Sequence, residues 1–177
     1  SSAVYWFPWI ETELKKKGLK VRSFDMPNTE HPKIEEWVNY LRENIPSEDI
    51  DEETYFIGHS IGCQTIMRYL EKLHKHKKIG GCIFVAGFFD LLGLNPKELN
   101  IAHPWMTSKI NYDRILEHCD NFLCIFSDND PYVHMQEADK FRDRIGAKIL
   151  LAKGREHFNE IKEPIVLKEA LRFMKEK

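Results

Sequence analysis

Two kinds of stretch alternate along the chain: short runs that are apolar almost throughout, and longer runs in which apolar residues return every three or four positions. The first kind predicts strands covered on both faces, the second amphipathic helices. Read in order, the pattern predicts a helix over 2–17 closed by Gly18, a strand over 19–26 stopped by Pro27, and a helix over 32–44 with Pro32 in its first turn. It continues with a strand over 54–58, a helix from Ile61 to about His76, and a strand over 79–88. A short helix over 113–119, a strand over 121–127, a helix over 134–145, a strand over 147–152 and a helix over 163–175 complete it. Strict alternation of this kind implies right-handed crossovers: a three-layer α/β/α sandwich around a mostly parallel sheet, in one domain spanning 1–177. Sites in such sheets form beyond the carboxyl ends of the strands, so the loops at 27–31, 58–62, 87–110, 127–133 and 153–159 are the ones to search. The segment 87–110 is read as a loop.

Bulk composition narrows the classes. A chain of 177 residues is long enough for a real core, and 42% hydrophobic with 31% charged residues is ordinary for a soluble globular protein. The net charge of −2 gives no reason to expect a nucleic-acid partner. The basic run Lys72–Lys78 (KLHKHKK) fits a helix end, where cations complement the dipole. The four cysteines, Cys63, Cys82, Cys119 and Cys124, form no CxxC pair, which predicts reduced thiols and a cytoplasmic location. No apolar run reaches the roughly 18 residues that a membrane helix needs. His74 and His76 have the wrong helical spacing for a shared metal ion, and neither metal nor cofactor is expected.

The chemistry concentrates at Gly58-His59-Ser60-Ile61-Gly62. A serine on a sharp turn between a buried strand and a helix is the arrangement of a nucleophile elbow. Gly58 and Gly62 meet the demand for small residues two before and two after the serine, and the Ile61 N–H at the helix start is placed to serve an oxyanion. The competing reading makes Ser60 an ordinary helix N-cap. A serine hydroxyl needs a base, and in this architecture the order is Ser, acid, His. Asp128 or Asp130 follows the strand over 121–127, and His157 follows the last strand, in KGREHFNE. Each has a bland explanation alone, an Asx turn or a solvated loop histidine; together they stand in the right order after the right strands. Cys63, one turn into the elbow helix, is expected to pack.

Four stretches, WFPWIETEL, DMPN, GHSIGCQTIMRYL and the pair SDNDPYV and EHF, span nearly the whole chain. They resemble the small serine hydrolases of the α/β-hydrolase superfamily related to retinoblastoma-binding protein nine and to bacterial YdeN-like proteins. The resemblance implies an α/β-hydrolase sheet and selects Asp130 over Asp128, since the family acid lies just before a proline. Where the family has Gly-His-Phe around its base, this chain has Glu156-His157-Phe158; where relatives continue with a proline after the valine, it has His134. Such proteins open with a central strand and a Gly-rich turn that supplies the second oxyanion donor. This chain starts with Ser1, past that point, so roughly a dozen preceding residues are expected outside it.

Trp105 and Met106, beside His103 and Pro104, are expected at the mouth of a small pocket, with His59 and His134 as further pocket residues; core packing of Trp105 and a surface helix start at His134 are the competing readings. Nothing cationic is reserved for a carboxylate or phosphate, which favours a small uncharged ester or amide as substrate of a monomer or weak dimer. Two other classes compete: a binding module on a hydrolase fold, and a flavodoxin-like phosphate binder. The L-x-C-x-E peptide that would engage a retinoblastoma-type pocket does not occur in the sequence.

Overall fold

The computed structural model describes residues 5–175. Four strands, β1 (Tyr55–His59), β2 (Gly81–Val85), β3 (Phe122–Ser127) and β4 (Lys148–Ala152), form one parallel sheet in the order β1-β2-β3-β4. Every residue of β2 and β3 is buried, as their unbroken apolar sequences require. The expected strand over 79–88 is trimmed to Gly81–Val85, and the chain leaves the ladder where Ala86 takes a positive φ of 47°.

Among the described residues seven α-helices flank the sheet: α1 (Phe7–Lys16), α2 (Ile34–Asn44), α3 (Ile61–Leu70), α4 (Pro96–Thr107), α5 (Tyr112–Leu116), α6 (Gln136–Ile145) and α7 (Pro164–Phe173). Helix α1 packs on α7, while α2, α3, α5 and α6 form a second contiguous set. Their apolar faces bury Ile10 and Leu14 of α1, Trp37 and Leu41 of α2, and Phe141 of α6 in the shared core. Residues 2–4 of the first expected helix lie outside the described residues. No helix among the described residues is long and apolar enough to cross a membrane.

Three expectations are corrected. The segment 19–26 is not a strand. Among the described residues no backbone ladder reaches it, and polar side chains hold it instead: Arg22 donates to the Asn44 carbonyl at 2.6 Å and the Ser23 hydroxyl bonds Glu11. A strand exists only through a neighbour, and local apolar residues cannot create one. Helix α3 ends at Leu70, not near His76, so KLHKHKK runs through turns beyond the helix; crowded like charges disfavour a further helical turn. The segment 87–110 is not simply a loop, because it carries the twelve-residue α4. Asn95 caps α4 by accepting from Lys97 and Glu98 N–H, Glu98 closes a capping box, and Pro96 opens the first turn. That Asn-Pro-x-Glu start signal was legible; Pro104 inside the helix masked it, since proline reads as a breaker.

Candidate active site

Strand β1 delivers Ser60 to the end of the sheet, and α3 starts at the next residue. Ser60 has φ 52° and ψ −121°, a conformation that non-glycine residues avoid and that aims the hydroxyl away from the helix. Its side chain makes no capping bond, which counts against the N-cap reading. The strained turn is pinned by Ser60 N–H donating to the Val85 carbonyl at 2.8 Å and by Cys63 N–H donating to Ser60 O at 3.0 Å. A Cβ on Gly58 would come within 2.8 Å of Ile66 Cδ1 and 2.9 Å of Cys63 N, so only glycine fits there. Gly62 is different: among the described residues, a Cβ there would meet nothing within 4 Å beyond its own helix, and the expected need for a small residue at that position is not found.

Two long loops bring the other groups to Ser60. The loop after β3 supplies Asp130, and the loop after β4 supplies His157. The Ser60 hydroxyl lies 3.0 Å from His157 Nε2, and His157 Nδ1 lies 2.8 Å from Asp130 Oδ2. A carboxylate only accepts, so Nδ1 carries the imidazole proton and Nε2 is left free to take one from Ser60. The other Asp130 oxygen accepts the N–H groups of Tyr132 at 2.8 Å and Val133 at 3.0 Å, which fixes the carboxylate plane. The Asp130 side chain is 1% exposed and that of His157 12%, so the relay is shielded at its acid end and open at its serine end. Helix α3 offers no internal acceptor to its first N–H, that of Ile61.

Asp128, the alternative acid, turns away from His157. Its Oδ1 accepts Gly154 N–H at 2.7 Å. It belongs to a set that sequence reasoning missed: Ser127 Oγ accepts Arg155 N–H at 3.0 Å, and Asn129 Oδ1 accepts Glu156 N–H at 2.9 Å. Four consecutive side chains, Ser127 to Asp130, thus bond four consecutive residues of the histidine loop. The signal was present in the run Ser-Asp-Asn-Asp, in which every side chain can accept. Arg155 adds an ion pair to the buried Glu163 at 2.9 Å, and that pairing raises the Arg155 pKa.

His59 is brought to the site, and its contacts define its role. Its Nε2 lies 2.7 Å from the His157 carbonyl oxygen, and since a carbonyl only accepts, this nitrogen bears the proton. The rings of Tyr5, Trp6 and Phe7 surround it at 5.9–6.4 Å between centroids. Burial, and next the charge of neighbouring His157, push the His59 pKa down to about 4, so the ring is neutral near pH 7. The sequence reading also missed Tyr132, whose ring stands edge-on to His157 at 5.3 Å.

The remaining pocket expectations fall elsewhere. Trp105 is 1% exposed, stands edge-on to Trp37 at 5.7 Å and donates its indole N–H to the Pro32 carbonyl; it packs the core and does not line a mouth. Met106 is half-buried against the same core. His134 is exposed before α6, where its Nδ1 accepts Gln136 N–H at 3.3 Å. Cys63 is fully buried and burial drives its thiol pKa up, which leaves it packed and un-ionised. Among the described residues, no three His, Cys, Asp or Glu side chains gather as a metal site.

Known proteins resemble the chain in sequence and in fold. The chain is 29% identical over 160 residues to the putative hydrolase YdeN of Bacillus subtilis, covering 90% of this chain and 81% of that one. The crystal structure of the B. subtilis ydeN product superposes with a TM-score of 0.86 at 27% identity, covering 98% of this chain and 92% of that one. Similarity to the rat serine hydrolase RBBP9 is 24% over 156 residues, covering 86% and 77% of the two chains. The carboxylesterase CesB (YbfK) of B. subtilis shares the α/β-hydrolase fold, with a TM-score of 0.57 at 13% identity over 83% of this chain and 68% of its own. The profile that describes serine hydrolases matches residues 1–163, and the chain belongs to that serine hydrolase family.

Proposed function

We propose that this serine hydrolase cleaves a small uncharged ester or amide, with Ser60 as nucleophile, His157 as general base and acid, and Asp130 as the group that orients His157. The observation that carries the reading is the unbroken relay of 3.0 Å from Ser60 Oγ to His157 Nε2 and 2.8 Å from His157 Nδ1 to Asp130. In the first half-reaction Ser60 Oγ attacks the substrate carbonyl carbon while its proton passes to His157 Nε2. The oxygen that becomes negative accepts the Ile61 N–H at the start of α3, where the helix dipole also favours an anion. Collapse expels the alcohol or amine, which takes the proton from His157, and leaves Ser60 acylated. Water then attacks the acyl-enzyme, gives its proton to His157, and the acid departs as Ser60 recovers its hydrogen.

Aromatic neighbours on both sides of the imidazole, Tyr132 on one and the ring cluster at His59 on the other, favour an apolar substrate over a charged one. The carboxylesterase neighbour supports the ester as first choice, and the four buried free thiols fit a reducing, cytoplasmic setting. Hydrolysis of p-nitrophenyl acetate and butyrate tests the reading. The expected result is a burst of one p-nitrophenol per chain before steady turnover, lost in Ser60→Ala. Turnover by Ser60→Ala at the native rate contradicts it.

A further inference from the structure

His157 carries the proton that the proposed reaction moves, yet the backbone around it is strained. Glu156 has φ 47° and Phe158 φ 54°, so both neighbours of the base sit in the left-handed region without being glycine. Each such residue raises the energy of the loop, and the loop keeps this shape only if its surroundings over-determine it. The acid side supplies one set of restraints, from Ser127, Asp128 and Asn129. A second set comes from the opposite side, where no acid chemistry requires it. His59 Nε2–H donates to the carbonyl of His157 at 2.7 Å, and Trp6 Nε1–H donates to the carbonyl of Phe158 at 3.0 Å. The two ring donors touch each other, their centroids 5.9 Å apart, and Trp6 is fully buried.

We propose that His59 and Trp6 are positioning residues that set the reach of His157 to Ser60, by capturing two successive carbonyls of the histidine loop with ring N–H donors. His59 is suited to this because it adjoins Ser60 in the chain. One residue carries the nucleophile and the preceding one grips the base, so their separation is fixed by a single short stretch of backbone. Trp6 extends the grip to α1, 152 residues away in sequence from the carbonyl it holds. The same arrangement constrains the charge of His59. Its ring lies 5.0 Å from that of His157, where a second cation would oppose the imidazolium formed during turnover. Tyr5, Phe7 and Asp130 complete its surroundings, and Asp130 is the charged side chain that would favour protonation.

The inference rests on the assignment of Ser60 and His157 as nucleophile and base, and its test separates the two. His59→Leu removes the donor, His59→Gln keeps an N–H near the position of Nε2, and Trp6→Phe removes the indole donor while keeping a ring. Two readouts are taken on each full-length protein: the rate at which a fluorophosphonate modifies Ser60, and the far-downfield proton NMR signal of His157 Nδ1–H bonded to Asp130. Displacing the base by about 1 Å slows reaction by roughly a hundredfold. The expected results are therefore a labelling rate down about a hundredfold in His59→Leu, down about tenfold in Trp6→Phe, and within about tenfold of native in His59→Gln. The KM for p-nitrophenyl acetate stays within about threefold, and the NMR signal is broadened or lost only in the donor-less variants. Native labelling by folded His59→Leu and Trp6→Phe, or equal loss in His59→Gln and His59→Leu, overturns the proposal. If the unsubstituted protein does not label, the assignment of Ser60 fails, and the NMR signal alone then decides the clamp. A signal equally sharp in all four proteins overturns it, and one lost with the ring donors upholds it.

Discussion

The turn at 58–62 and the loop at 153–158 do similar jobs by opposite means. Both hold a member of the proposed Ser60–His157 pair beside or at a positive φ, at Ser60 in the first and at Glu156 and Phe158 in the second. The turn is held by packing and by the ends of regular elements: β1 enters, α3 leaves, Val85 pins the serine amide, and Gly58 nests against Ile66 and Cys63. The loop has no such frame. It is held by side-chain donors and acceptors gathered from α1, the elbow, the β3 loop and the start of α7. Packing tolerates few changes at a few positions, whereas a distributed polar network loses function in instalments.

The sharpest way to break this comparison is to change the two aspartates of the β3 loop. Asp130→Asn keeps its oxygen on the Tyr132 and Val133 N–H groups and turns its NH2 donor towards His157 Nδ1, which favours the wrong imidazole tautomer and is expected to lower kcat by roughly four orders of magnitude. Asp128→Ala removes one anchor of the loop among several and is expected to lower kcat by only about tenfold, with a loss of about 1 kcal/mol in stability. Steady-state kinetics on p-nitrophenyl acetate reads both. Similar losses in the two variants contradict the assignment of Asp130.

The two glycines of the turn give the next effect. Gly58→Ala drives a methyl into Cys63 N and Ile66 and is expected to destabilise by about 3 kcal/mol in a urea titration. Gly62→Ala meets open space inside α3 and is expected to be neutral or to stabilise by up to about 1 kcal/mol. A destabilisation in Gly62→Ala as large as in Gly58→Ala would show that the turn is tighter than described.

Protonation of His59 gives a third. Its folded pKa of about 4 lies below the ordinary histidine value of 6.5, so the unfolded chain takes up the proton first as pH falls. Stability contributed by neutral His59 is complete above pH 6.5 and is lost on descending to about pH 4. The loss is roughly 2 kcal/mol, allowing for the partial exposure of the ring. His59→Gln cannot titrate and is expected to show a shallower fall in urea midpoint across that window. Parallel curves for the two proteins contradict the buried, neutral assignment.

The smallest effect sharpens the loop itself. Glu156 holds φ 47°, in the left-handed region that favours glycine, so Glu156→Gly relieves strain and is expected to raise stability by about 1 kcal/mol or less. Gly146→Ala, at φ 67° after α6, is expected to do the reverse by about 1 kcal/mol. Thermal melts of the two variants moving in the same direction would contradict the strain argument.

The same contrast explains what could be read from the sequence. The elbow was legible because Gly58, Ser60 and the apolar run before them are neighbours in the chain, and a strand-turn-helix signal is local. The order of Ser60, Asp130 and His157 was legible because parallel topology sends every such loop to one end of the sheet. The strand expected over 19–26 failed because pairing is set by a neighbour and not by the local apolar residues Leu19, Val21, Phe24 and Met26. Helix α4 was hidden by Pro104, although Asn95 and Glu98 announced its start. Trp105 looked like a pocket residue because an aromatic in a loop invites that reading; once the segment is a helix, the indole turns to Trp37. The clamp from Trp6 could not be read at all, since a hydrogen bond across 152 residues leaves no local trace.

The measurement that tests the account most directly is fluorophosphonate labelling followed by peptide mass mapping, on the native chain, Ser60→Ala and His157→Ala. The account predicts a single phosphonylated site at Ser60 in the native protein, none in Ser60→Ala, and labelling slowed at least a thousandfold in His157→Ala. A folded native protein that stays unmodified, or that is modified at another residue, would contradict the assignment of Ser60 as the nucleophile.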